Sequence, residues 1–256
     1  MKNLKKLKIA GITMFFLTLF SCSLEPEIES TITNYPIMTL NGNATVFVPL
    51  GGPYTDPGII ATENGAPIKY TSTAVGIYRK ATTLDLNKAD KYTQTYKATN
   101  KDGFSNTITR TVIVYKTGDL VTSIEGVYLS TTKRNNALLN PAQGSSVDMK
   151  YVYIWKNTDG TFGVSDAFGG WYDLGRSIGP TSATQGGTIA GNIPSNTFTF
   201  PGNPLTNEYF GGVSNITGLE VDPATKTITL KCHWEAPATN GTTPYDFVST
   251  LKQEQL

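Results

Sequence analysis

The chain has 256 residues, with 21 Lys and Arg against 20 Asp and Glu, one histidine and two cysteines. Near-neutral charge, with no basic cluster beyond the lysines of the first eight residues, excludes a nucleic-acid-binding stripe and a polybasic membrane patch in the rest of the chain. So few histidines and cysteines supply neither a conventional zinc site nor a disulfide framework, and no cofactor is expected.

Lys2, Lys5, Lys6 and Lys8 precede a 12-residue apolar run from Ile9 to Phe20. The run is shorter than the ~20 residues that span a bilayer as a helix. It has the arrangement of a secretory signal peptide, which the mature protein lacks. Leu19-Phe20-Ser21-Cys22 closes it. A leucine three places before a cysteine, with a small residue directly before it, resembles the lipobox of bacterial lipoproteins. The resemblance implies that residues 1–21 are a leader, that Cys22 is acylated, and that lipid anchors the chain in the outer membrane. Without the leader 235 residues remain, with 17 basic against 20 acidic, a net charge of −3. If Cys22 carries lipid, Cys232 has no intramolecular partner, and stability must come from buried apolar area.

Residues 22–34 read as a tether. Glu25, Glu27 and Glu29 alternate with Leu24, Pro26 and Ile28, in a segment too short and too charged to fold alone. Acidic residues soon after a lipidated cysteine resemble the surface-export signal of Bacteroides-type lipoproteins, implying display at the cell surface. The alternative is a solvated spacer facing the periplasm.

Residues 35–116 read as a small β-sandwich. Thr45 to Val48 is a strand that Leu50-Gly51-Gly52-Pro53 breaks. In Tyr54-Thr55-Asp56-Pro57-Gly58, Pro57 and Gly58 suit the central positions of a type II turn. Tyr92, Gln94, Tyr96 and Ala98 share a strand face, Asn100-Lys101-Asp102-Gly103 turns the chain, and Arg110, Val112 and Val114 return on a shared face. Tyr54-Thr55-Asp56-Pro57-Gly58, Tyr92-x-x-x-Tyr96-x-Ala98-Thr99, Asp102-Gly103-x-Ser105-Asn106 and Arg110-Thr111-Val112, in this order, resemble bacterial Ig-like surface modules, with a longer stretch than usual from Ala74 to Asp85. The resemblance implies a spacer or interaction domain.

Lys116 to Asp119 reads as a linker, so the module before it and the domain at 119–256 are each expected to own a core. The C-terminal domain holds all three tryptophans. The alternation predicts that Val147, Met149, Tyr151, Tyr153 and Trp155 share one strand face, and that Asn157 to Gly160 turns the chain into Thr161–Val164. Ile228, Leu230, Cys232 and Trp234 share a face opposite Thr229, Lys231, His233 and Glu235. Tyr245, Phe247 and Leu251 belong to a closing strand. The fold class is all-β, an Ig-like sandwich followed by an antiparallel barrel or sandwich of seven or eight strands.

The candidate binding segment runs from Val164 to Arg176. Gly169 and Gly170 allow a bend that presents Trp171 and Tyr172, with Asp166, Asp173 and Arg176 as polar groups beside them. Flat rings beside carboxylate and guanidinium groups suit a glycan or an oligopeptide. The competing structural interpretation makes Trp171 and Tyr172 core plugs beside a bulged hairpin. A glycoside hydrolase would need two carboxylates facing each other, for which Asp166, Asp173 and Glu208 are the nominees. With no second histidine and with Cys232 and His233 on opposite faces, no nucleophilic triad is formed, and the chain is read as a non-enzyme.

The order of lipid anchor, acidic tether, Ig-like module and aromatic-rich β domain resembles accessory lipoproteins of SusC/SusD-type uptake systems. The resemblance implies a nutrient-binding or accessory subunit that takes a glycan or oligopeptide and partners the transporter. An adhesin or fimbria-like structural protein is the alternative.

Overall fold

Strand-forming runs punctuated by Gly, Pro and Asn make nearly every element of this chain an antiparallel strand. The computed structural model describes residues 32–139, 149–237 and 244–256, and Tyr35–Leu256 forms one compact unit. The expected leader, Cys22 and most of the expected acidic tether lie outside the described residues.

Seven strands build the Ig-like module: β1 (Ile37–Leu40), β2 (Thr45–Pro49), β3 (Ile59–Glu63), β4 (Ala66–Pro67), β5 (Tyr70–Gly76), β6 (Asp90–Thr99) and β7 (Ser105–Tyr115). One sheet has the order β1-β3-β4 and the other β2-β7-β6-β5, with β2 parallel to β7. Between the sheets the motif residues of the sequence converge on one carboxylate. Asp56 accepts from Arg110 at 2.9 Å, from the Tyr96 hydroxyl at 2.5 Å and from Gln94 at 2.7 Å, while Tyr54 donates to Gln94. Arg110 is fully buried and also donates to the carbonyls of Asn41, Asn43 and Gly58. A buried guanidinium needs such a complete set of acceptors. Gly58 has φ of 68°, as the predicted turn requires, and a Cβ there would lie 2.6 Å from the Tyr70 hydroxyl.

The second domain is one ten-stranded curled sheet rather than the seven or eight strands expected. Its strands are β8 (Gly126–Arg134), β9 (Ala137–Leu138), β10 (Met149–Lys156), β11 (Phe162–Val164), β12 (Gly187–Asn192), β13 (Thr197–Thr199), β14 (Leu205–Thr206), β15 (Val213–Asp222), β16 (Thr227–Glu235) and β17 (Tyr245–Gln253). The order is β13-β12-β11-β10-β8-β17-β16-β15-β14, with β9 on β8. The surplus strands are only two or three residues long, too short to leave an alternation in the sequence. Tyr245, Phe247 and Leu251 lie in β17, the last strand, which sits between β8 and β16 in the middle of the sheet.

Closure is made by side chains. Beyond its short pairing with β14, the outer edge of β15 meets two asparagine amides. Asn203 accepts from Ile216 N–H at 2.9 Å and donates to Ile216 C=O at 2.8 Å. Asn196, in the β12–β13 turn, makes the same pair of bonds with Val221 at 2.7 and 3.1 Å. Each amide stands in for one residue of a partner strand and brings the β12–β13 end of the sheet onto β15.

β10 departs from simple alternation. Its pairing with β8 shifts between Lys150 and Val152, which marks a bulge. The expectation that Met149, Tyr151, Tyr153 and Trp155 share a face is therefore corrected. Met149 joins Val152 and Ile154 in the core of the curled sheet, whereas Tyr151, Tyr153 and Trp155 face the Ig-like module. Val147 lies outside the described residues.

Those three aromatics meet Phe47, Tyr78 and Ile113, and with Val127 they form a cluster shared by both domains. Phe47 and Tyr151 rings lie 5.8 Å apart, Tyr78 and Tyr153 rings 5.5 Å apart, and Arg79 sits 5.4 Å above Trp155. Tyr78 and Arg79 lie in the long Ala74–Asp85 stretch. Each domain has its own core besides. The Lys116–Asp119 connection is held, not free: Gly118 donates to Glu125, accepts from Gln253, and Lys116 pairs with Glu125 at 3.1 Å.

Candidate functional site

The segment nominated from sequence folds inward. Gly169 and Gly170 take φ of 66° and 85°, and the next residues form one π-helical turn, Trp171–Gly175, closed by Gly175 N–H to Gly170 C=O and Arg176 N–H to Trp171 C=O. A Cβ on Gly169 would lie 2.0 Å from Ser249 Oγ, so the turn packs directly on β8 and β17. Its direction is the reverse of a presenting loop. Trp171 is 5% exposed and belongs to the main core, and its indole N–H has no acceptor among the described residues.

The two aspartates are structural as well. Asp166 is buried and accepts from the N–H groups of Phe168, Gly170 and Thr184 at 2.9, 3.0 and 2.9 Å, tying the turn to the next segment. Burial pushes its carboxyl up to about 7, against those three donors. Asp173 accepts a 2.7 Å bond from Tyr78 of the Ig-like module; burial raises its pKa, and the Tyr78 bond opposes the rise. Neither carboxylate lines an open cleft, and Glu208 is exposed on the β14–β15 connection.

Tyr172 and Arg176, by contrast, reach a cleft of about 290 Å³ at one end of the curled sheet. Arg134 ends β8, Trp234 is next to last in β16, and Tyr245 begins β17, so the register brings them to the same end. Tyr209 and Phe210, from the β14–β15 connection, and Ile178 complete the lining. The rings form a continuous set: Tyr172–Phe210 at 4.6 Å, Tyr209–Phe210 at 4.7 Å and Trp234–Tyr245 at 5.7 Å between centroids. Arg134 lies 4.6 Å over the Tyr245 ring and donates to the Tyr172 hydroxyl at 3.4 Å. Burial raises the Tyr172 phenol, and both Arg134 and Arg176 oppose that rise. Tyr209 is 58% exposed and forms an open rim.

Of the five nominated binding residues, Tyr172 and Arg176 are thus brought together, and Trp171, Asp166 and Asp173 are taken into packing and hydrogen bonding. Sequence reasoning missed Arg134, Tyr209, Phe210, Trp234 and Tyr245. One signal existed: Tyr209-Phe210-Gly211-Gly212 repeats the aromatic-Gly-Gly pattern of Phe168-Gly169-Gly170. On the opposite face of β16, His233 bonds Asp246 at 2.7 Å and Glu235 at 3.0 Å, and these carboxylates raise its pKa.

Comparison with known proteins supplies the context. A family model for a C-terminal domain matches residues 117–253, and the model described as a bacterial surface protein Ig-like domain matches residues 38–114. No curated protein matches. Among solved structures, the crystal structure of the lipoprotein BT2262 from Bacteroides thetaiotaomicron is similar, with 25% identity and a TM-score of 0.58. That match covers 86% of this chain and 100% of the other.

Proposed function

The chain belongs to the BT2262-like family of Bacteroides surface lipoproteins with an N-terminal Ig-like domain, and we propose that it captures a nutrient at the aromatic cleft for a SusC/SusD-type uptake system. The observation that carries this reading is the cleft: five aromatic side chains and two arginines around about 290 Å³ of open space at a sheet end. Rings held against each other around one exposed member, Tyr209, form a preorganised surface for a sugar or peptide. The anchor is lipid on Cys22 in the outer membrane, with Ser23–Thr33 as tether. The Ig-like module then holds the cleft away from the membrane, and the shared cluster with Tyr78 and Tyr153 keeps the two domains in one orientation.

The test is made on intact cells. The chain is expected to be labelled by an impermeant reagent and to co-purify with a SusC-type barrel after cross-linking, while Cys22→Ala releases it from the membrane. Failure to label, together with recovery of the chain without a transporter, removes the uptake reading.

A further inference from the structure

We infer that the cleft selects a carboxylate-bearing oligopeptide end, a ligand class that rests on the cleft being the binding site. The lining is rich in donors and poor in acceptors. Guanidinium groups donate only, and both Arg134 and Arg176 face the cleft. Among the described residues, the ion pairs are Arg110–Asp56, Lys116–Glu125 and those of His233, so neither cleft arginine is neutralised by a carboxylate. No Asp, Glu, Asn or Gln among the described residues lines the cleft, and the Trp234 N–H is already bound to Gly211 C=O at 3.1 Å.

A sugar presents hydroxyl donors around its ring, and each one buried without an acceptor costs binding energy. Among the described residues, only tyrosine oxygens and backbone carbonyls are available there for that purpose. A carboxylate is acceptor-only and matches two guanidinium forks. Attached to an apolar side chain, it leaves half-buried Phe210, Ile178 and Tyr245 to cover the rest. The volume lies near the lower end of small-ligand pockets, which run from ~300 Å³ upward. It holds one or two residues of a peptide, with the remainder of the chain passing over exposed Tyr209.

The experiment is calorimetric titration of the full lipidated chain in detergent micelles. The main probe is an acetylated leucine–phenylalanine–glutamate tripeptide with a free C-terminus. Its glutamine, C-terminal-amide counterpart, tri-galacturonate and maltotriose complete the set. The acidic peptide is expected to bind at least about tenfold tighter than its neutral counterpart, and more weakly as salt is raised. Arg176→Gln, at an exposed position, is expected to lower that affinity about tenfold and to erase the preference for acid. Equal binding of the two peptides, lost in Tyr245→Ala, overturns the carboxylate inference and leaves the cleft as the site. Tighter binding of either sugar replaces the peptide with a glycan. If no probe binds a wild-type chain that still melts cooperatively, or if binding ignores both variants, the cleft reading falls with the inference.

Discussion

The Tyr78 hydroxyl of the Ig-like module donates a 2.7 Å hydrogen bond to Asp173 of the curled sheet, across 95 residues of sequence, and both side chains are buried. Tyr78→Phe removes the donor and leaves a buried carboxyl short of a partner. Loss of such a bond costs about 1–3 kcal/mol. A urea titration of the variant beside wild type is expected to show that loss. No change in the unfolding midpoint refutes the coupling.

Trp171 lies inside the main core, so its truncation acts on folding. Trp171→Ala is expected to cost about 3–5 kcal/mol by leaving a cavity where the indole packs beside Gly175 and Met149. Denaturation midpoints check this, and a variant of near wild-type stability contradicts the packing.

The Asn196 and Asn203 amides close the sheet against β15, and each satisfies one N–H and one C=O there. Asn203→Ala and Asn196→Ala are each expected to cost about 1–3 kcal/mol. Hydrogen exchange should quicken first at the Ile216 and Val221 amides. Uniform exchange changes across all strands would instead mean that the seam is not a local unit.

Stability is expected to fall as pH rises from about 4 to about 7. The sign follows from Asp166, which burial moves up to about 7 in the folded chain. In that window the folded state keeps a proton that the unfolded state has released, so raising the pH favours unfolding. Asp90 and Asp173 are raised by burial too and add in the same direction. Asp119, Asp159 and Asp222 behave oppositely. Hydrogen bonds from nearby turn residues lower them, so their stabilisation is lost only as pH falls through their depressed values. Thermal melts at pH 5 and pH 8 should place the higher midpoint at pH 5; the reverse order excludes Asp166 as a protonated group.

Much of the fold was legible from local pattern. A period of two needs only neighbouring residues, so the face of β16 carrying Ile228, Leu230, Cys232 and Trp234 is buried as its alternation implies. The Ig-like motifs were legible for a similar reason. Tyr54, Asp56, Gln94, Tyr96 and Arg110 belong together because one hydrogen-bonded set joins the buried Arg110 guanidinium to the partly exposed Asp56 carboxylate. The bulge in β10 was not legible, because nothing in Lys150-Tyr151-Val152 specifies where the pairing with β8 slips.

By itself the sequence determined the all-β class and the Ig-like module, and it carries the expectation of a leader with a lipobox-like cysteine and an acidic tether. These rest on composition, short motifs and strand period, which are local properties. Only tertiary structure decided which way the Gly169-Gly170 bend points, because direction depends on packing against Thr132 and Ser249 from distant strands. It likewise decided that the domains share a cluster, that two asparagines close the sheet, and that the cleft gathers Arg134, Tyr172, Arg176, Tyr209 and Tyr245. Those residues lie up to 111 positions apart, and strand order, which no local pattern encodes, is what makes them neighbours.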